Sequence, residues 1–263
     1  MFEIEKLNEA NKQRIIDFLK SDVIRHVFAF YDIQYDPQHT TMYAAFENSN
    51  LKGYILIYTA TDVPSIILEC EEGAAGALIE YAPQNNFIIH APPNLLLSVQ
   101  RKFPDEKHYL EDWMLVGGGK AHYYRSELVR RLSTEDDALR LAELVSNRKD
   151  RPARTLKKYS EWITKMPVYG SFKNGRLVSY AGSFVQLPQV WMIGGVFTQP
   201  RHRNKGCATL AVSAITEEAL KKAETAALFV RSDNHSAIKV YEKIGYRKIG
   251  EKLWLDIGTG LRP

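Results

Sequence analysis

Arg203-Asn204-Lys205-Gly206-Cys207-Ala208 is the stretch on which the reading of this chain turns. It follows Val190 to Thr198, an apolar run with the composition of a strand. It opens Cys207 to Lys222, where Leu210, Ala211, Ala214 and Ile215 form one stripe of a helix, with Glu217, Glu218, Lys221 and Lys222 outside it. A turn from strand into helix N-terminus converges successive backbone N–H groups on one point, and the helix adds partial positive charge there. The placement predicts an anionic ligand. Gly206 removes a Cβ where ligand and backbone come closest, Ala208 keeps the first helical turn narrow, and Pro200 fixes φ on the approach. Arg201, Arg203 and Lys205 surround the turn with charge. An ordinary strand-to-helix turn with solvated cations would use the same residues, so the six alone do not separate the two readings.

Downstream, Ala226 to Val230 is a short buried strand, and Asp233-Asn234 opens a helix carrying Ile238, Tyr241 and Ile244. Gly245 ends that helix as a C′ glycine. Upstream, Val168 to Phe172 and Arg176 to Val185 alternate about Lys173-Asn174-Gly175, a hairpin with Asn-Gly in its turn. Before it the pattern gives a strand at Glu127 to Leu132 and a helix N-capped by Ser133 with Leu139, Leu141, Ala142 and Val145 on one side. A second helix spans Thr155 to Lys165.

Two runs carry a resemblance. Gly195-Val196-Phe197-Thr198-Gln199-Pro200-Arg201-His202 and the six residues after it resemble the acetyl-CoA signature of the GNAT N-acyltransferase superfamily, (Arg/Gln)-x-x-Gly-x-(Gly/Ala), with alanine in the last position. Asn234-His235-Ser236-Ala237-Ile238-Lys239-Val240-Tyr241-Glu242-Lys243-Ile244-Gly245-Tyr246 resembles the second signature, Asn-x-x-Ala-x-x-x-Tyr-x-x-x-Gly-(Phe/Tyr). The resemblance covers residues 127 to 258 and implies the mixed α+β GNAT fold, a central twisted mixed sheet flanked by helices. It implies a cofactor entering where two parallel strands splay, here Val190 to Thr198 and Ala226 to Val230. Backbone groups of Val196, Phe197 and Thr198 would then hold the pantetheine arm and acyl carbonyl, with Arg203, Asn204, Lys205, Gly206, Cys207 and Ala208 on the pyrophosphate. Asn234 would bond the cofactor arm or simply cap its helix. Tyr241 would assist the leaving thiolate or pack as an ordinary aromatic. The implied cosubstrate is acetyl-CoA, with no metal, and the implied partner is an amine acceptor, a small molecule or a protein amine. The strand Val190 to Thr198 has no Asp, Glu or His to act as base, leaving Glu161, His202 or a water.

The first half repeats the order of elements. Strand-like runs at Met42 to Phe46, Gly53 to Thr59 and Ser65 to Cys70 follow two helical stretches within Asn8 to Phe30. Phe87 to Asn94 then leads into Leu95 to Phe103, much as Leu228 to Asp233 leads into its helix. Only 16 residues separate Cys70 from Phe87, against 29 between Thr198 and Leu228, so the long cradle turn has no room there. Glu69, Glu71 and Glu72 would also repel a pyrophosphate. Residues 1–126 are therefore expected to be a degenerate GNAT-like domain without the cradle, and residues 127–263 the acetyl-CoA-binding catalytic domain. An unrelated α+β cap is the alternative for the first half. Such tandem halves resemble the glycine N-acyltransferase-like branch of the superfamily.

Composition fits a globular protein: 263 residues, 45% hydrophobic and 25% charged. No apolar run reaches the roughly 20 residues that span a bilayer, and Met1 to Lys6 is not a signal peptide, so a cytoplasmic location and no membrane partner are expected. Cys70 and Cys207 are too few and too far apart for a disulfide framework or a metal site. Residues 1–126 carry 11 Lys and Arg against 17 Asp and Glu, and the remainder 24 against 14, so the basic excess lies with the cradle. Its densest part, Arg148 to Arg154 with Lys157 and Lys158, lacks the interleaved aromatics of a single-strand stacking platform, which disfavours nucleic acid. If those cations line the pocket, they suit an acceptor with a carboxylate. The leading expectation is N-acetyl transfer from acyl-CoA to a primary amine by direct attack in a ternary complex. The alternative is a catalytically silent acyl-CoA-binding module.

Overall fold

A computed structural model describes residues 2–104, 106–146, 148 and 155–260. The chain forms two compact units. Of the described residues, one comprises those up to Asp112 together with 251–260, and the other is Trp113–Gly250.

In the first unit the order is β1 (Glu3–Lys6), α1 (Lys12–Ser21), α2 (Val27–Tyr35), β2 (Thr40–Glu47), β3 (Asn50–Tyr58), β4 (Ser65–Cys70), α3 (Glu72–Ile79), β5 (Phe87–Ala91), α4 (Leu96–Lys102) and β6 (His108–Gly117). Strands β1 to β4 pair antiparallel in sequence order, and β5 lies parallel to β4. Residues 253–257 of the last strand close the far side of β5, antiparallel to it. The middle of β3 is buried on both faces. Ile55 packs with Ile66, Leu68, Ala74, Leu78 and Phe87, whereas Tyr54 and Leu56 pack with Ile15, Leu19, Ala29 and Ile33. That is why β3 reads as a continuous apolar run rather than an alternation. Helix α3 was not expected: Gly73-Ala74-Ala75-Gly76 has weak intrinsic propensity, and burial of Ala74, Ala75, Leu78 and Ile79 makes up for it.

The parallel contact is short. Ser65, Ile66 and Ile67 pair with Ile88, Ile89 and His90, and beyond them β4 and β5 part. Glu69 sits on the parting stretch with a side chain only 3% exposed. Arg25, in the turn between α1 and α2, reaches it with Nε at 3.0 Å and Nη2 at 2.6 Å, and Lys252 donates to the other carboxylate oxygen. Burial pushes the Glu69 carboxyl up, but Lys252 and Arg25 outweigh it and hold it below the usual carboxylate range. Beside them the Tyr54 hydroxyl and His26 Nδ1 lie 2.9 Å apart. One residue, Glu71, separates β4 from α3, so there is no long turn here.

The second unit repeats the same order: β7 (Val129–Arg131), α5 (Glu135–Ser146), α6 (Leu156–Lys165), β8 (Val168–Lys173), β9 (Arg176–Gln186), β10 (Val190–Thr198), α7 (Cys207–Leu220), β11 (Thr225–Arg231), α8 (His235–Ile244) and β12 (Arg247–Ile257). Its sheet runs β6-β11-β10-β9-β8-β7, with β10 and β11 parallel. The β8–β9 turn has Asn174 and Gly175 at φ 51° and 73°, as a two-residue type I′ hairpin requires. Residue 126 lies inside this unit. The divisions fall instead within β6, after Asp112, and within β12, after Gly250, and each strand runs on through its division.

Helix α5 is capped by Thr134 rather than Ser133. The Asp137 N–H donates to Thr134 Oγ1 at 3.1 Å, and the Asp137 carboxylate accepts from the Ser133 and Thr134 N–H groups and from both terminal nitrogens of Arg130. Reciprocal bonding of this kind satisfies the orphan donors of the first turn. Thr134→Ala is expected to lower unfolding free energy by about 1 kcal/mol in urea denaturation, whereas Ser133→Ala leaves it within experimental error.

Candidate functional site

The site begins where β10 leaves β11. Val190, Trp191 and Met192 pair with Thr225, Ala226 and Ala227, and no residue of β10 beyond Met192 pairs with β11. Burial changes at the same place: residues 190–193 are buried, and 194–198 are half-exposed. Against β9 the register shifts twice, so that Gly195 and Val196 lie in a bulge between the Gly194–Gly182 and Phe197–Tyr180 pairs. Gly195 has φ 66°, which few side chains tolerate, and a Cβ there would meet the Trp162 ring at 3.2 Å. A Cβ on Gly194 would lie 2.3 Å from the Phe184 ring. The two glycines thus let aromatic rings lie directly on the backbone at the splay. Thr198 is less available than Val196, because its carbonyl accepts from Arg203 Nε at 3.3 Å and its hydroxyl is 2.7 Å from Ser179 Oγ.

From Thr198 the chain passes through a short 3-10 turn, Pro200–His202, and enters α7 through Gly206 at φ 78°. Asn204 is also left-handed, at φ 58°. Arg203, Asn204, Lys205 and Gly206 are exposed, Ala208 is half-exposed, and Cys207 and Thr209 turn inward. No atom lies within 4 Å of where a Gly206 Cβ would stand. The opening above the turn, the unpaired N–H groups that begin any α-helix and three cations make a cradle that fits a pyrophosphate. The cations brace the turn: Lys205 Nζ donates to the Arg201 carbonyl at 2.9 Å, and Arg201 Nε donates to Gln199 Oε1 at 3.0 Å.

Asn234 caps α8, its Oδ1 accepting from the Ala237 N–H at 3.2 Å and from Ser236 Oγ at 3.0 Å. The helix-capping reading of Asn234 is therefore present in the structure. Gly245 closes α8 at φ 106°. Tyr241 is 5% exposed in the cluster of Trp191, Ile193, Ala211, Val212 and Ile215, against which Val196 packs. Its ring meets Tyr246 at 6.0 Å. Among the described residues its hydroxyl has no hydrogen-bond partner, whereas the Tyr246 hydroxyl lies 2.8 Å from Thr216 Oγ1. Burial raises the Tyr241 hydroxyl well above its ordinary value, so it stays protonated. Of the two candidate bases, Glu161 is exposed on α6 and 4.0 Å from Lys157. Burial and the charges of Arg201, Lys205 and Lys173 push His202 down, which leaves it neutral near pH 7.

Sequence reasoning missed the opposite face of the splay. Trp162 lies over Gly182 and Gly195, with Nε1 donating to the Ser183 carbonyl at 3.2 Å. Tyr180 meets Trp162 edge-on at 6.0 Å. The Arg148 guanidinium sits 5.2 Å from the Phe197 ring centre and 3.5 Å from the Tyr180 hydroxyl. The signal for this wall was Gly182, Gly194 and Gly195 within strands, since interior strand glycines mark close approach of another group. Of the expected basic run, residues 149–154 lie outside the described residues, and Lys157 and Lys158 are exposed on α6. Among the described residues no group of three His, Cys, Asp or Glu could hold a metal, and no helix is long and apolar enough to cross a membrane.

Residues 168–255 match the model of the FR47-like protein family. A structural-genomics structure of a Drosophila protein superposes with a TM-score of 0.76 at 13% identity, covering 97% of this chain and 98% of that one. A GNAT-family acetyltransferase from Colwellia psychrerythraea gives 0.63 at 12% identity, covering 97% and 99%. A tandem GNAT protein from the clavulanic acid biosynthesis pathway gives 0.61 at 12% identity, covering the whole of both chains. No curated protein matches the sequence. The chain has the mixed α+β GNAT fold, with the fold's order of elements present twice.

Proposed function

We propose that this protein is a cytoplasmic N-acyltransferase that moves an acyl group, acetyl foremost, from acyl-CoA to a primary amine by direct attack in a ternary complex. One observation carries the reading. In the second unit the parting of β10 from β11, the left-handed Gly206 cradle and the unpartnered Tyr241 hydroxyl all occur together. Acetyl-CoA supplies an activated acyl carbon and a thiolate leaving group. Arg203, Lys205 and the N–H groups of Asn204 to Ala208 hold the pyrophosphate. Val196 and Phe197 offer backbone groups to the pantetheine arm and the acyl carbonyl, with a lesser share from Thr198, whose carbonyl already binds Arg203. Asn234 fixes the start of α8, which carries Tyr241.

The neutral amine attacks the acyl carbon. The N–C bond forms, the C–S bond breaks, and the ammonium proton is lost to water or to His202. An N–H at Val196 or Phe197 stabilises the developing oxyanion, a contribution of about 3 kcal/mol for one donor. Tyr241 hydrogen-bonds the departing thiolate, which takes its proton from solvent. We assign the first unit to a tandem, non-binding half of the glycine N-acyltransferase-like kind. The place of the splay is taken there by Glu69, Arg25 and Lys252, and β4 runs into α3 without a cradle.

Calorimetric titration tests the cofactor part. Saturable 1:1 binding of acetyl-CoA is expected, weakened about 30-fold, or roughly 2 kcal/mol, by Arg203→Ala with Lys205→Ala. No saturable binding to the wild type would remove the proposal. Binding with no thiol released from any amine would reduce it to an acyl-CoA binder.

A further inference from the structure

Strands β9 and β10 run out of regular step over a short stretch. Trp191 and Met192 face Gln186 and Val185, Ile193 and Gly194 face Ser183 and Gly182, and Phe197 and Thr198 face Tyr180 and Ser179. Phe184 is therefore an extra residue on β9, and β10 carries one of its own, with Gly195 and Val196 opposite Ala181 alone. The second bulge exchanges the faces of β10. Trp191 and Ile193 belong to the cluster built on α7 and α8, and unbroken alternation would place Phe197 with them. Val196 joins that cluster instead, and Phe197 packs in the opposite one with Tyr159 and Ile163. Which backbone groups reach the splay thus depends on where this bulge stands.

One side chain touches both strands of that stretch. The three atoms nearest to where a Gly182 Cβ would stand all belong to the Trp162 ring, at 2.4, 2.9 and 3.4 Å, and the same ring is nearest to a Gly195 Cβ, at 3.2 Å. Trp162 Nε1 donates to the Ser183 carbonyl at 3.2 Å. The Ser183 N–H in turn donates at 2.9 Å to the carbonyl of Pro167, which lies between α6 and β8. Ser183, between the extra Phe184 and Gly182, is thus held through both of its peptide groups. Helix α6 is itself fixed on the sheet by the buried Tyr159 and Ile163, which pack with Leu177 and Tyr180 of β9. At Gly195 the left-handed φ of 66° supplies the turn, and the indole closes the space beside it.

Resting on the acyltransferase reading above, we infer that Trp162 is a positioning residue for the transfer: lying on Gly182 and Gly195 and bonded to Ser183, it holds the bulge in place and keeps the Val196 and Phe197 N–H groups where the oxyanion forms. This role needs no contact with acyl-CoA or with the amine. It acts on the rate of the chemical step, whereas cofactor affinity rests mainly on the cradle at Arg203 to Ala208.

The test is a double-mutant cycle read by thiol release, by calorimetry with acetyl-CoA and by hydrogen exchange of the free protein. Trp162→Leu is expected to lower kcat about 30-fold, within the range that misplaced reacting groups cost, with the Kd for acetyl-CoA changed by no more than about threefold. Gly182→Ala, whose methyl would displace the indole, should lower kcat about tenfold in the wild type and cause no further loss in Trp162→Leu, where no ring stands in its way. Amides of the peptide 192–198 should exchange about tenfold faster in both single variants. A kcat within threefold of wild type in Trp162→Leu, a loss matched by an equal rise in Kd, losses that multiply in the double variant, or unchanged exchange of this peptide overturns the inference. If Trp162→Leu does not fold, Gly182→Ala decides by the same split between kcat and Kd and the same exchange. No thiol released by the wild type from any amine overturns the acyltransferase reading, and the exchange result then decides whether Trp162 holds the bulge.

Discussion

Tyr241→Phe is expected to lower kcat about 100-fold while leaving the KM for acetyl-CoA and the thermal midpoint unchanged or slightly improved. The two halves of that result have one cause. Tyr241 is 5% exposed and its hydroxyl has no hydrogen-bond partner among the described residues, so removing the hydroxyl breaks no bond of the folded state. A group kept under those conditions is useful only where a partner arrives during the reaction, and positioned proton donors are typically worth 10²- to 10⁴-fold. The lower end applies because burial raises the hydroxyl further above the thiol range, which makes full proton transfer uphill and leaves a donated hydrogen bond. It follows that the pH–rate profile has no falling limb from Tyr241 below pH 10. Wild-type turnover in the variant, measured by thiol release with a good acceptor, would show Tyr241 to be a packing residue.

Glu69→Gln is expected to destabilise the first unit by about 3 to 5 kcal/mol, the usual cost of breaking a buried ion pair by removing one member. The variant breaks the ion pairs of Glu69 with Lys252, whose side chain is only 12% exposed, and with Arg25, which is half in solvent. The pH dependence has a definite sign. Glu69 is depressed in the folded state, so its contribution is fully present above the unfolded carboxylate pKa and is lost as pH falls through the folded value. Guanidinium denaturation from pH 7 to pH 3 should therefore show a steeper loss of stability in the wild type than in the variant. Equal slopes would mean that Glu69 is not the group that titrates.

The second unit was legible because its turns need particular residues. Gly245 is an example: at φ 106°, with a Cβ position 2.2 Å from the Lys120 carbonyl oxygen, the site admits only glycine, and the sequence announces it. The strand Val190–Thr198 and the helix start at Cys207 were read correctly for the same reason, since the left-handed Gly206 separates them. The first unit has fewer such markers. Its β1 is four residues long, α3 is held by packing rather than propensity, and the break in β6 follows tertiary contacts that leave no local trace. At the site the backbone cradle was readable and the aromatic wall was not. Trp162 comes from α6 and Phe184 from β9, and only three glycines in the strands hinted that anything lay over them.

The noncontiguous first unit has a consequence for the order in which the protein is made. Residues 253–257, which close β5, are made after the whole of the second unit, whereas β1 to β5 are made before it. Throughout that interval the outer edge of β5, with the apolar sequence Phe87-Ile88-Ile89, holds unpaired backbone groups of the kind that recruit foreign strands. The first unit is thus begun before the second and closed after it, and a chain cut short before residue 253 would lose the strand that closes the first unit rather than any part of the cradle.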